Sequence, residues 1–239
     1  MNALSRAFDR IVVINLPFRQ DRRDEMSEQL ARVGLALGEP PVQLFEAVRP
    51  ADAGSFPSIG ARGCFLSHLG ALRAARADQV ERLLILEDDC DFAQEPGAGV
   101  EDAMAALSAA GPWDICYGGY RVAGDVPAGD GRWVRLPSEC PVATTHCVGF
   151  RSAAIQALVP FLEAMLARPP GDPAGGPMHV DGAYTWFRRQ HAGMVTVAAT
   201  PPIAVQRPSR TDIHDLQWYD RTPILRPVVG MLRSLKGRR

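Results

Sequence analysis

Short apolar runs alternate with segments of helical period along most of the chain. Residues 11–15 (IVVIN) are the β-branched kind of run that fills a buried parallel strand. After Pro17, Met26, Leu30 and Val33 recur at i, i+4 and i+7, with Asp24, Glu25, Glu28 and Arg32 on the other faces. That spacing predicts a helix with Asp21 as its N-cap and Gly34 as its stop. A second strand is expected at 42–47, followed by a helix opened by Gly60 to Gly63, whose core stripe is Phe65, Leu69 and Leu72. A third buried strand at 83–86 runs straight into Glu87, Asp88 and Asp89. Beyond it the pattern predicts a helix at 100–109 and a strand at 115–117.

The second half is less regular. It suggests one or two strands within 140–150 and a helix at 152–167 that Pro160 must kink or restart. A Pro/Gly loop follows at 168–177, then a helix at 181–190 and strands at 194–198 and 203–205. Strand and helix alternating in this way specify an α/β fold with a mostly parallel central sheet. The expected organisation is one domain over residues 1–218, with a basic tail at 219–239.

Composition narrows the function. The 239 residues carry 26 basic side chains against 27 acidic ones, and only Lys236 among the basic ones is a lysine. P-loop NTPases, protein kinases, Schiff-base and pyridoxal-phosphate enzymes, and phosphoacceptor receiver domains all need a lysine in their core. A lone lysine near the C-terminus serves none of them. The near-zero charge argues against a general nucleic-acid binder. At 46% hydrophobic and 22% charged, the chain has the composition of a folded globular protein. Five cysteines without a C-x-x-C pair read as reduced core thiols. The N-terminal segment interrupts its apolar residues with Arg6, Asp9 and Arg10, and no run approaches the length of a membrane span. A cytoplasmic protein is expected.

LILEDDCD is the most informative stretch. Its three acids stand where a buried strand ends, and open α/β sheets bind ligands outside the carboxyl ends of their strands. Crowded carboxylates repel one another and favour a cation, and hard oxygen donors suit Mg²⁺ or Mn²⁺ bridging a diphosphate. A solvated loop capping the next helix is the plainer alternative. In NLPFRQDRR, Arg19, Arg22 and Arg23 follow the first strand, where guanidinium groups can hold phosphate or stack on a base. They can equally pair with Asp21, Asp24 and Glu25. In GARGCFLSHL, two glycines at a helix start leave N–H groups open to an anion. Ser67 and His68 flank Leu69 there without extending the core stripe, and such a histidine is more often structural than catalytic.

Together the blocks VINLPFRQDRRDEM, GARGCFLSHLGAL and LLILEDDCDF resemble glycosyltransferase family 25, the lipopolysaccharide-type galactosyltransferases and their collagen-modifying relatives. Looser matches follow at TTHCVGFRSAAIQAL, at HVD around Asp181, and at PPIAVQRPSRTDIHD, so that residues 10–218 are covered. The resemblance implies a GT-A-type, Rossmann-like fold and a UDP-sugar donor, usually UDP-galactose. It also implies Mn²⁺ or Mg²⁺, and inversion at the anomeric carbon. On this sequence it implies Asp89 and His214 as metal ligands, with Glu87 or Asp88 on the ribose or orienting the metal. Asp181 becomes the catalytic base, although a helix N-cap is the competing role for that residue. Asn15, Arg19 and Arg22 would line the nucleotide pocket, with Gly60 and Ser67 close by and Thr144 in the loop under the sugar. The motif reads E-D-D where the family has D-x-D, so the metal-binding carboxylate stays open.

The expected partners are a nucleotide-sugar donor and a glycan or glycolipid acceptor such as lipopolysaccharide, with no nucleic acid. The leucines and basic residues of 226–239 would suit an anionic membrane surface on the inner face of the cytoplasmic membrane, or a frayed solvated terminus. Two other classes remain: a nucleotide-sugar-binding protein without transferase activity, and a metal-dependent phosphohydrolase.

Overall fold

A computed structural model of the chain describes residues 2–93, 99–109, 111–122 and 131–208. The elements in order are α1 (Ala3–Ala7), β1 (Arg10–Asn15), α2 (Gln20–Arg32), β2 (Val42–Glu46), α3 (Ile59–Ala77), β3 (Arg82–Glu87), β4 (Cys90–Phe92) and α4 (Val100–Ala109). They continue with β5 (Ile115–Val122), β6 (Trp133–Leu136), β7 (Val142–Arg151), α5 (Ser152–Leu166), α6 (Val180–Gln190), β8 (Thr196–Ala199) and β9 (Ala204–Gln206). Seven strands form one sheet in the order β2-β1-β3-β7-β5-β8-β6, and β4 pairs with β9 in a separate ribbon. Within the sheet β2, β1, β3, β5 and β8 run one way and β7 and β6 run against them. This is a mostly parallel α/β architecture with helices on both faces of the sheet.

Side-chain alternation along the strands builds a core on each face of the sheet. Val12 and Ile14 of β1 and Leu83 and Ile85 of β3 pack with α3, α5 and α6. Their neighbours Ile11, Val13, Leu84 and Leu86 pack with α1, α2 and α4 on the opposite face. A continuous apolar run in the sequence is thus a strand covered on both sides. Register then sets the site, because β1 lies beside β3 with Ile14 opposite Glu87. Asn15 at the end of β1 therefore arrives next to the acidic triplet.

Two local expectations change and one holds. The N-cap of α2 is Arg19, and Asp21 sits in the first turn, where its carboxylate still favours the helix dipole. Gly34 does stop that helix: at φ +72° it follows the C-cap, and the N–H groups of Gly34 and Leu35 reach back to the carbonyls of Ala31 and Leu30. α5 runs through Pro160 as one helix. Pro160 and Gln156, the residue whose carbonyl loses its helical partner, both lie on the exposed face, where water can replace the missing bond.

Candidate functional site

Each acid of the triplet meets a different environment. Asp88 is buried and held at both oxygens: Asn15 Nδ2 donates to Oδ2 at 2.8 Å and Arg22 Nη1 to Oδ1 at 2.7 Å. Asn15 also donates to the carbonyl of Arg19 at 3.2 Å, which ties the start of α2 to the end of β1. Arg22 and Asp88 thus form a buried, hydrogen-bonded ion pair, of the kind whose breakage costs about 3–5 kcal/mol. Asp88 is an organiser of the loop, with one donor already on each of its oxygens.

Glu87 faces the α3 side. Its Oε1 accepts from Thr145 Oγ1 at 2.6 Å and stands 3.2 Å from His68 Nε2. The other ring nitrogen of His68 meets the Tyr184 hydroxyl at 3.0 Å. Burial pushes the Glu87 carboxyl up, but the bonds from His68 and Thr145 outweigh it and leave the group below the usual carboxylate range. The sequence pattern sets His68 beside the core stripe, as a histidine more often structural than catalytic. Position 68 belongs to the 65–69–72 stripe of α3, and the side chain is fully buried there, aimed at the acidic strand end.

Asp89 differs from both. It is 3% exposed, and Oδ2 accepts from Gln206 Nε2 at 3.2 Å, while the buried Oδ1 has no hydrogen-bond partner among the described residues. Burial, followed by the charge on Glu87, pushes its carboxyl up to about 7, with Arg22 opposing. A buried carboxylate with an unused oxygen beside other acids is a donor set that a hard divalent cation would satisfy, so these residues fit Mg²⁺ or Mn²⁺. Asp89 is further fixed through its carbonyl, which accepts from Arg207 N at 2.7 Å. The Arg207 side chain pairs with Asp91 and Glu25, which makes it a clamp between α2, β4 and β9.

The triplet borders a cavity of about 550 Å³ between the ends of β1 and β3 and the N-terminal part of α3. Arg22, Gly60 and Ser67 line it, and Arg49 and Phe18 stand at its exposed side, with the Arg49 guanidinium 4.9 Å from the Phe18 ring centre. Arg19 is not among the lining residues; its guanidinium lies on Asp21 at 2.8 Å.

Ser67 is buried, donating to the Gly63 carbonyl at 2.6 Å and accepting from Val48 N at 2.8 Å. It positions the 47–50 wall of the cavity. Gly63 lets that wall approach, since a Cβ there would lie 2.7 Å from the Val48 carbonyl oxygen. Helix propensity alone predicts that Gly63→Ala gains about 1 kcal/mol. The clash predicts a loss of about 1–3 kcal/mol. We expect the loss to win, and a stabilised variant in urea unfolding would show that the wall can move freely.

Asp181 lies in the first turn of α6, whose N-cap is His179, so Asp181 does not cap the helix. Its Oδ2 accepts from Thr144 N at 3.2 Å and its Oδ1 from Gly182 N at 2.7 Å. Thr144 adopts φ +67°, a left-handed conformation that costs a non-glycine residue about 1–3 kcal/mol and aims its N–H at Asp181. The next residue, Thr145, binds Glu87, so the 144–145 dipeptide joins Asp181 to the acidic strand end. Neither Asp181 nor Thr144 lines the cavity. His214, Arg210 and the 219–239 tail lie outside the described residues.

Of the cysteines, Cys90, Cys116 and Cys147 are buried, whereas Cys64 and Cys140 are half-buried. Burial, then the nearby charges of Glu87 and Asp181, pushes the Cys64 thiol well above its ordinary value. Among the described residues, no helix is long and apolar enough to cross a membrane.

No family model matches the chain, and no curated protein does either. Among solved structures it is similar to a glycosyltransferase involved in the glycosylation of the major capsid of PBCV-1, at 11% identity and a TM-score of 0.48, over 82% of this chain and 91% of that one. It is similar to mannose-1-phosphate geranyltransferase from Thermus thermophilus, at 14% identity and a TM-score of 0.38, over 82% and 73%. A197 from STIV follows at 11% identity and 0.38, over 87% and 98%. Likenesses this distant leave the functional reading to the site.

Proposed function

We propose that the protein is a metal-dependent glycosyltransferase of the family 25 kind, taking a sugar from a nucleotide-diphosphate donor to a hydroxyl of a glycan acceptor with inversion. The resemblance supplies UDP-galactose as the donor and a lipopolysaccharide-type saccharide as the acceptor. The observation that carries the reading is Asp89: a buried carboxylate with an oxygen unpartnered among the described residues, at the carboxyl end of β3, beside a cavity of about 550 Å³.

In this reading Asp89 holds Mn²⁺ or Mg²⁺, together with His214. The cation, when bound, supplies positive charge to a leaving diphosphate. Asp88, neutralised by Arg22 and hydrogen-bonded by Asn15, keeps the loop in shape while Glu87 is held by His68 and Thr145. Arg49 is the cavity's exposed cation beside an aromatic ring, a pairing suited to a nucleotide base or its phosphates. Asp181 takes the proton from the acceptor hydroxyl as the anomeric carbon acquires positive charge. A single in-line attack inverts that carbon.

A donor panel scored by UDP release tests the proposal. UDP-galactose with Mn²⁺ is expected to release UDP, and EDTA to abolish both the release and most of the UDP affinity. Tight UDP binding without release from any donor would instead describe a nucleotide-sugar-binding protein. Release that is unchanged in EDTA would remove Asp89 from its role.

A further inference from the structure

The floor of the cavity holds a second set of donors with a different chemistry. Cys64 and His68 are four residues apart on α3, so both side chains leave the same face of the helix. Glu87 meets them from the end of β3. The Cys64 sulfur, an imidazole nitrogen of His68 and a Glu87 oxygen lie within 4.8 Å of one another. All three residues line the cavity, Cys64 and Glu87 partly exposed and His68 fully buried behind them.

A thiol, an imidazole and one carboxylate form a mixed sulfur–nitrogen–oxygen set. Such a set suits a tetrahedral, borderline-soft cation and is a poor match for Mg²⁺ or Mn²⁺, which prefer oxygen. Ligands at roughly 2.0–2.3 Å from zinc stand about 3.5 Å apart, so closure asks for side-chain movements of about 1 Å. The Tyr184 hydroxyl, 3.0 Å from His68 Nδ1, already orients the ring from behind, as the outer partners of metal-bound histidines do. The arrangement keeps a three-ligand site with the fourth position facing the cavity.

We infer that Cys64, His68 and Glu87 form a binding site for Zn²⁺ at the cavity floor, separate in chemistry from the oxygen site at Asp89. Binding replaces the sulfur–hydrogen bond of Cys64 with a sulfur–zinc bond and releases that proton to solvent. His68 gives up its contact with Glu87, presents Nε2 to the ion, and carries its ring proton on Nδ1 towards the Tyr184 oxygen. An ion there narrows the floor on which a diphosphate would rest.

Cobalt(II) is the probe, because a cobalt–thiolate bond gives a charge-transfer band in the near ultraviolet that oxygen and nitrogen ligands do not. Wild-type protein titrated with Co²⁺ is expected to develop the band at one equivalent, and Zn²⁺ to bleach it. Cys64→Ser should lose the band and bind Zn²⁺ at least tenfold more weakly against a colorimetric chelator. His68→Asn should weaken binding by a similar factor, and Cys140→Ser should change nothing. A wild-type titration without the band overturns the site whether or not any variant folds. A band that persists in Cys64→Ser also overturns it, since the thiolate then lies elsewhere. The transferase reading is separable: a protein with the band but without UDP release keeps this site and loses that reading, and the reverse result loses only the site.

Discussion

Asp89→Asn is expected to stabilise the metal-free protein and to abolish metal-dependent turnover. In EDTA the Asp89 carboxyl titrates at about 7 when folded, because burial and then Glu87 oppose its charge, against 3.8 in an unfolded chain. Below pH 4 both states carry the proton and Asp89 contributes no penalty. Between about pH 4 and 7 only the unfolded chain releases it, so this group lowers stability as pH rises. Each pH unit is worth about 1.4 kcal/mol, which bounds the penalty above pH 7 at about 4 kcal/mol. Asparagine removes the charge but leaves an amide with one unmet bond, worth about 1–3 kcal/mol.

The net expectation is a gain of about 1–3 kcal/mol at pH 8, or roughly 3–10 °C in Tm for a chain of this size. The gain should close towards pH 4.5. Comparing variant with wild type at each pH reports Asp89 together with its coupling to Glu87, whose carboxyl is shifted the opposite way. Adding Mn²⁺ should raise the Tm of wild type and leave Asp89→Asn unmoved, while UDP release falls by about 10²–10³. A variant that keeps Mn²⁺-dependent stabilisation would place the cation elsewhere. Raised stability with lost function is the pattern expected where a site is held ready for a ligand at the expense of the fold.

The features that were legible in the sequence share one property: a long, local signal. The run at 11–15 and the run at 83–86 read as buried strands because both faces of each are covered, and they are β1 and β3. The helix at 100–109 is α4, with the same ends. What escaped was specified from elsewhere in the chain. β4 has three residues and exists because Cys90 pairs with Gln206 and Phe92 with Ala204, partners more than a hundred residues away. α1 is a five-residue helix whose apolar residues join the same core as α4.

The site divides in the same way. The position of the acidic triplet was readable, since a strand end is a local feature. The division of labour among Glu87, Asp88 and Asp89 was not, because Arg22, His68 and Gln206 decide it and each arrives from a different element. Arg19 and Arg22 look alike in the sequence, three positions apart at the start of one helix. The turn of α2 sends Arg22 inward to Asp88 and leaves Arg19 on Asp21. His68 escapes because a lone histidine carries little local information; only the fold shows Glu87 and Tyr184 on either side of its ring.

Asp181→Asn is the second substitution with a large expected effect. If Asp181 takes the proton of the acceptor hydroxyl, kcat should fall by about 10²–10⁴, with donor KM and UDP affinity close to wild type. The side chain also has a structural duty, since its two oxygens accept from Thr144 N and Gly182 N. Asparagine offers one acceptor oxygen, so one of those N–H groups would face an amide donor. The cost is about 1–2 kcal/mol of stability, and relaxation of Thr144 from its left-handed conformation would offset part of it. A purely structural Asp181 would therefore lower the Tm and leave kcat nearly intact. Two further readouts separate the roles. Loss of a base removes the acid limb of the kcat/KM profile, which a positional defect leaves in place. Thr144→Gly, which accepts φ +67° without strain, should preserve the backbone N–H to Asp181 and keep turnover within a few fold of wild type. Near-normal turnover in Asp181→Asn would reject the base assignment outright. Lost turnover with an unchanged pH profile would reassign Asp181 to holding the 144–145 strand segment against Glu87.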